Sequence, residues 1–121
     1  MSLNVSSCNL TKLDTANFPI IENINVGECP ISQLDVSENH KLRSLDITGT
    51  QIANLDVSSC PDINVIILSP NDPPIRGDQA AMISFANSLP DRTGKDAGLL
   101  VLHHTYDWIQ DICNAKNWTM E

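Results

Sequence analysis

The chain is poor in aromatic residues, poor in bases and free of long apolar runs, and each shortage narrows what it can be. Phe, Trp and Tyr make up 4% of the 121 residues while hydrophobic residues reach 41%, so the core must be aliphatic. Seven Lys and Arg stand against 15 Asp and Glu, a formal charge of −8, and that field repels nucleic acid and anionic membrane surfaces. No stretch approaches the roughly 20 apolar residues of a membrane span. The N-terminus lacks the basic-then-apolar layout of a signal peptide, which leaves an intracellular chain or a mature region with its export signal removed. The four cysteines, at positions 8, 29, 60 and 113, form no CxxC pair and no Cys/His cluster at zinc spacing. Glycine-rich phosphate loops, nucleophile elbows and HExxH motifs are also missing, so the sequence offers no metal or cofactor site and points away from an enzyme.

What is present is a repeat. Equivalent aliphatics recur at Leu3, Leu13, Ile24, Leu34, Leu45, Leu55 and Ile66 in steps that alternate 10 and 11, so one full period is 21 residues. Self-similarity at that period is the mark of a solenoid. Stacked by period, the chain gives inward columns: Leu3, Ile24, Leu45, Ile66; Val5, Val26, Ile47, Leu68; Leu13, Leu34, Leu55; and Thr15, Val36, Val57. Leu10, Ile31 and Ile52, with Ile21, Leu42 and Ile63, fill the corners. Two further columns are Cys8, Cys29, Thr50, Asn71 and Phe18, Asn39, Cys60; in the first, an Asn or Cys satisfies backbone groups at the coil corner, which Thr50 should do less completely. Cys8 and Cys29 would stack about 4.8 Å apart, a separation that permits a disulfide on Cα distance alone and that reads first as stacked buried thiols at a structural repeat position. Apolar residues alternate within each short segment, the period of a half-buried strand, and predict two short strands on opposite sides of every coil.

The regularity ends at Ser69-Pro70-Asn71-Asp72-Pro73-Pro74, whose prolines stop another rung. Repeat coils over 1–72 and a capping segment over 73–121, together one continuous domain, follow from that break. In the cap, Asp78 can start a helix through about Ser88 with Met82, Phe85, Ala86 and Leu89 as its buried stripe. A strand is expected over Gly98 to Leu102. A second helix, capped by Thr105 or Asp107, should run to about Ala115 with Ile109, Ile112 and Cys113 inward. Asn117 suits its C′ position, and Trp118-Thr119-Met120 makes a last strand, for about six parallel rungs in all.

The segments Ile21 to Ile31 and Leu42 to Ile52 fit the pattern LxxLxLxxN/CxL, with Thr50 departing at the Asn/Cys place. With Leu34-Asp35-Val36-Ser37-Glu38-Asn39 and Leu55-Asp56-Val57-Ser58-Ser59-Cys60 alternating between them, the chain resembles the leucine-rich repeats of bacterial cell-surface proteins of the internalin-like group, over about residues 3 to 71. The tail is similar to the closing segment of such proteins through LPDRTGKDAG and AKNWT. The resemblance implies an α/β leucine-rich-repeat solenoid of parallel β ladders with a helix-containing C-terminal cap. It also implies a non-catalytic binding module, at the cell surface or secreted, with a protein or glycan ligand; a purely structural segment closing a longer solenoid is the alternative.

The concave ladder is the usual binding face of this architecture and here exposes Asn4, Asn23, Asn25, Ser44, Asp46 and Thr48, with Ser69 further along. This strip is polar and lightly charged, with no ring to stack on a sugar. Val65 and Ile67 interrupt it and are expected against the cap. Asp14, Asp35 and Asp56 form an outward column that reads as a solvated repeat position rather than a cation ladder. His103, His104, Asp107 and Asp111 lie close in sequence, but adjacent histidines in extended chain point to opposite faces. Cys113 beside either histidine supplies the residue types of a nucleophilic pair without an orienting third group. At the other end nothing precedes the first coil, so parts of Leu3, Val5, Leu10 and Leu13 should be uncovered beside an open strand edge. The expectation is a chain that continues a longer solenoid or associates with itself there.

Overall fold

The computed structural model describes residues 1–68, 79–102 and 107–121, apart from the side chain of Trp108. Six strands run through it: β1 (Ser2–Asn4), β2 (Asn23–Asn25), β3 (Ser44–Asp46), β4 (Val65–Ile67), β5 (Gly98–Val101) and β6 (Trp118–Met120), with helix α1 (Gln79–Ser88) before β5 and helix α2 (Asp107–Ala115) before β6. They form one parallel sheet in sequence order. Ser2, Asn23, Ser44 and Val65 are in register, and the cap continues the sheet because Val65 pairs with Leu99 and Gly98 with Trp118. A coil of 21 residues brings the chain to the same place on the next rung, so sequence periodicity becomes register directly.

The inward columns are the core. Ile24, Val26, Leu45, Ile47, Ile66 and Leu68 are buried at 2% exposure or less, as are the corner residues Ile21, Ile31, Leu42, Ile52 and Ile63. Each such side chain contributes about 2 kcal/mol of hydrophobic stabilisation. The first coil differs as expected: Leu3, Val5, Leu10 and Leu13 are only partly buried, and Phe18 and Ile20 are exposed. For the same reason Cys8 is exposed while Cys29 is buried; both thiols are free, and the expected pair of buried thiols is not formed, because no coil covers the outer side of Cys8.

The turn after each of the first three strands is built alike. The N–H of Cys8 donates to Val5 O, Cys29 to Val26 O and Thr50 to Ile47 O, at 3.2 to 3.3 Å. The third residue of each turn, Ser7, Glu28 or Gly49, has φ of +59°, +61° or +70°. Such a turn needs a left-handed residue, which only glycine adopts without cost.

The second strand expected on the far side of each coil is not a strand. Residues 34–36 and 55–57 belong to no strand and have no ladder pairing. Side chains have taken the backbone groups a ladder would use: the Thr15 hydroxyl donates to Asp35 O, Cys60 Sγ to Val36 O, and Ser88 Oγ accepts the N–H of Val57. Alternating burial is common to both kinds of segment, so hydrophobic periodicity cannot separate them.

The cap follows its pattern. Met82, Phe85, Ala86 and Leu89 are all buried at 2% or less, as are Ile109 and Cys113, whereas Ile112 is only partly covered. Asp107 is the first residue of α2, where its carboxylate suits the helix dipole, and Asn117 ends that helix at φ +60°. Gly98 is required by a close approach: a Cβ there would run into the Trp118 ring, whose Nε1 donates to Pro90 O at 2.9 Å. The proline stretch with Ser69 and Asn71, the expected cap Asp78, and His103, His104 and Thr105 lie outside the described residues.

Candidate functional site

The inner face of β1 to β3 brings five of the six expected residues, Asn4, Asn23, Asn25, Ser44 and Asp46, along one groove that Thr48 does not line, in two kinds of ladder. In the first, Asn23 Nδ2 donates to Ser2 Oγ at 3.0 Å and Ser44 Oγ donates to Asn23 Oδ1, a hydrogen-bonded chain across three rungs. In the second, Asn4, Asn25 and Asp46 each use Oδ1 to accept the backbone N–H two residues on, from Ser6, Gly27 and Thr48 at 2.9 to 3.0 Å. These are Asx turns, which bend the chain out of the strand. Thr48 therefore enters the strip through its backbone. Among the described residues, Nδ2 of Asn4, Nδ2 of Asn25 and Oδ2 of Asp46 have no protein partner. They border a shallow groove of about 280 Å³ that reaches from Ser2 to Asp46 and includes Ile67. Ile67 thus both pairs with the cap through Val101 and closes one end of the groove.

The outward aspartates are the same device on the other half of the coil. Asp14, Asp35 and Asp56 accept the N–H of Ala16, Ser37 and Ser58 at 2.8 to 3.0 Å. Asp35 titrates below the ordinary carboxylate value because Ser37 hydrogen-bonds it, hydroxyl first and backbone N–H second. Asp56 is lowered in the same way by Ser58, against burial and the charge of Asp35. Their function is the turn. Among the described residues no group of three or more His, Cys, Asp or Glu is arranged to hold a metal ion.

Two of the buried thiols, Cys60 and Cys113, are shifted away from the thiolate. Burial pushes Cys60 up to about 11, helped by Asp56, and raises Cys113 against the opposing charge of Lys116. A nucleophilic thiol needs the opposite shift. Cys29 and Cys60 instead donate to carbonyls of the preceding coil, Val5 O at 2.9 Å and Val36 O at 3.6 Å. Thr50, one place further in the column of Cys29, turns its hydroxyl to Ile47 O of its own coil, the weaker corner its departure from the repeat pattern implies.

A second concavity lies at the amino end of the sheet, where the sequence reading places nothing. It has a volume of about 450 Å³ and gathers Lys41 and Arg43 from the coil before β3 with Arg92 and Lys95 from the loop before β5; Glu22, Asp62 and Asn64 complete its wall. Glu22, Arg43 and Asn64 are one column at the 21-residue spacing, as are Lys41 and Asp62, which was a legible signal. The position of Arg92 and Lys95 beside them was not.

No family model matches the chain, and no curated protein matches it. Among solved structures, it is similar to the functional domain of InlJ from Listeria monocytogenes, which includes a cysteine ladder, with a TM-score of 0.54 and 22% identity over 55% of this chain. The match spans 15% of that chain. One six-stranded parallel sheet, coils of 21 residues and this likeness make the protein an α/β repeat solenoid of the leucine-rich-repeat type. In this chain the cysteines do not make a continuous column, since Thr50 follows Cys29 and Asn39 precedes Cys60. No helix among the described residues is long and apolar enough to cross a membrane.

Proposed function

We propose that the chain is a non-catalytic binding module of a bacterial surface or secreted protein, which takes a protein or glycan ligand on the inner face of its sheet. The observation that carries this reading is the spare polar groups of Asn4, Asn25 and Asp46, aligned along the groove at one rung spacing and unsatisfied among the described residues. Rigid, repeated donors and acceptors of this kind match sugar hydroxyls or an extended loop. The likeness in fold to an internalin domain supports the class of function, not the ligand.

Asn25→Asp with Asp46→Asn tests it cleanly, because both replacements keep the Oδ1 acceptor of the Asx turn and exchange only the group offered outward. The chain should bind at least one member of a glycan array or a panel of purified surface proteins, and the double variant should lose that binding at an unchanged melting temperature. Absence of any ligand, or equal binding by the variant, rejects the inner face.

A second reading has its own support. The partly covered Leu3, Val5, Leu10 and Leu13 lie beside the free edge of β1, as in a segment that closes a longer solenoid or pairs with a second copy. Light scattering at rising concentration, repeated on Val5→Lys, distinguishes a self-associating chain from a monomer.

A further inference from the structure

We infer that the groove at the amino end of the sheet is a second binding site, for a sugar that carries a carboxylate. Its cations are concentrated against the trend of the molecule: Lys41, Arg43, Arg92 and Lys95 are four of the seven Lys and Arg in a chain of net charge −8. Among the described residues none of the four is in an ion pair; the one pair joins the Met1 amino group to Glu22.

Arg92 is the feature a solvated basic surface would not have. It is 7% exposed, and its guanidinium makes two bonds to the protein, Nε to Asp96 O at 2.9 Å and a long one from an Nη to Ile63 O at 3.5 Å. A guanidinium has five N–H donors, so three are left without an acceptor among the described residues, in a largely buried setting. An unpaired buried charge is costly, and a carboxylate is the group whose two oxygens match the guanidinium fork. The backbone around Arg92 is held in place: its N–H donates to Lys116 O, and its carbonyl accepts from Lys95 N–H and Asn117 Nδ2. The site is therefore formed before any ligand arrives.

The rest of the wall selects among anions. Glu22 and Asp62 would repel a dianionic phosphate more strongly than a singly charged carboxylate, and with Asn64 they can accept hydrogen bonds from hydroxyls. A single carboxylate flanked by hydroxyls, the pattern of a uronic acid, meets both halves of the groove, and about 450 Å³ admits one or two sugar rings. This site stands independently of the inner face.

Titrating the labelled whole chain with glucuronate, followed by amide and arginine side-chain resonances, tests the assignment. Signals of Lys41, Arg43, Arg92 and Lys95 should move, glucose should move none of them, and Arg43→Gln with Lys95→Gln should weaken binding about tenfold or more, since each lost charged hydrogen bond is worth roughly that factor. Both substituted side chains are exposed, so the variant should fold, and circular dichroism checks it. Asn25→Asp with Asp46→Asn should leave glucuronate binding unchanged, which separates this site from the inner face. No response to glucuronate, a response that survives Arg43→Gln with Lys95→Gln, or equal binding of phosphate or an acidic dipeptide overturns the inference.

Discussion

Asn39 and Thr15 are joined twice across neighbouring coils: the Thr15 hydroxyl, its proton shared with Asp35 O, donates to Asn39 Oδ1, and Asn39 Nδ2 donates to Thr15 O, both at 2.8 Å. Nδ2 also reaches Phe18 O at 3.1 Å, so one fully buried amide binds the corner of the coil before it. Replacement by leucine would remove all three of these bonds from the core, at about 1 kcal/mol each, a cost of about 3 kcal/mol. Asn39→Leu should therefore lower the melting temperature by roughly 10 °C. Asn39→Cys, which copies Cys60 in the next coil, should lower it less. Equal melting of Asn39→Leu and the parent would show that this corner is not held by the amide.

Gly49 and Glu28 occupy the same turn position one coil apart, and the carboxylate of Glu28 fills the space where a side chain on Gly49 would go. A Cβ at Gly49 would lie 2.5 Å from Glu28 Oε2, at a φ of +70°. Gly49→Ala should cost about 2 kcal/mol, part from the left-handed backbone and part from displacing Glu28. In a Glu28→Ala background the second part disappears. Denaturant melts of the four chains should give a coupling between the two sites; strict additivity would mean that the carboxylate moves aside freely.

Acid should destabilise the fold through its turns. Asp35, Asp56 and Asp91 all titrate below the ordinary carboxylate value of 3.8, each by hydrogen bonding from a Ser or Thr two residues on. The unfolded chain then takes up protons first, so the contribution of these groups is complete above about pH 4 to 5 and is lost as pH falls through their lower folded values. Asp35→Asn with Asp56→Asn keeps the turn acceptor and removes the titration. Its stability should fall less steeply between about pH 5 and 2 than that of the parent, and parallel acid limbs would exclude this source.

Much of the architecture was legible because a solenoid turns sequence spacing into spatial register. Ile24 stands over Leu3 and Leu45 over Ile24 for the same reason that they recur every 21 residues, and the stripe from Met82 to Leu89 told the first helix by its period alone. Local chemistry explains why the cap strand at Trp118 and the left-handed Asn117 were also readable.

Other features needed the folded chain. Leu34 and Val36 alternate inward just as Ile24 and Val26 do, yet only the segment around Ile24 forms a rung, because Thr15, Cys60 and Ser88 reach the backbone of the far side from other parts of the chain. The residues of the inner strip were placed by spacing, whereas the division of Asn25 and Asp46 into one turn-forming oxygen and one group to spare is a matter of side-chain torsion. Most remote from the sequence is the basic groove: Arg43 and Arg92 are 49 positions apart, one in the coils and one in the cap, so no period relates them. The amino acid order determined the stack and its inward face, since those depend on a repeat of short-range contacts. The meeting of Arg92 with Lys41 and Arg43 was decided by how the cap folds back onto the sheet, a long-range packing that charge and spacing alone do not encode.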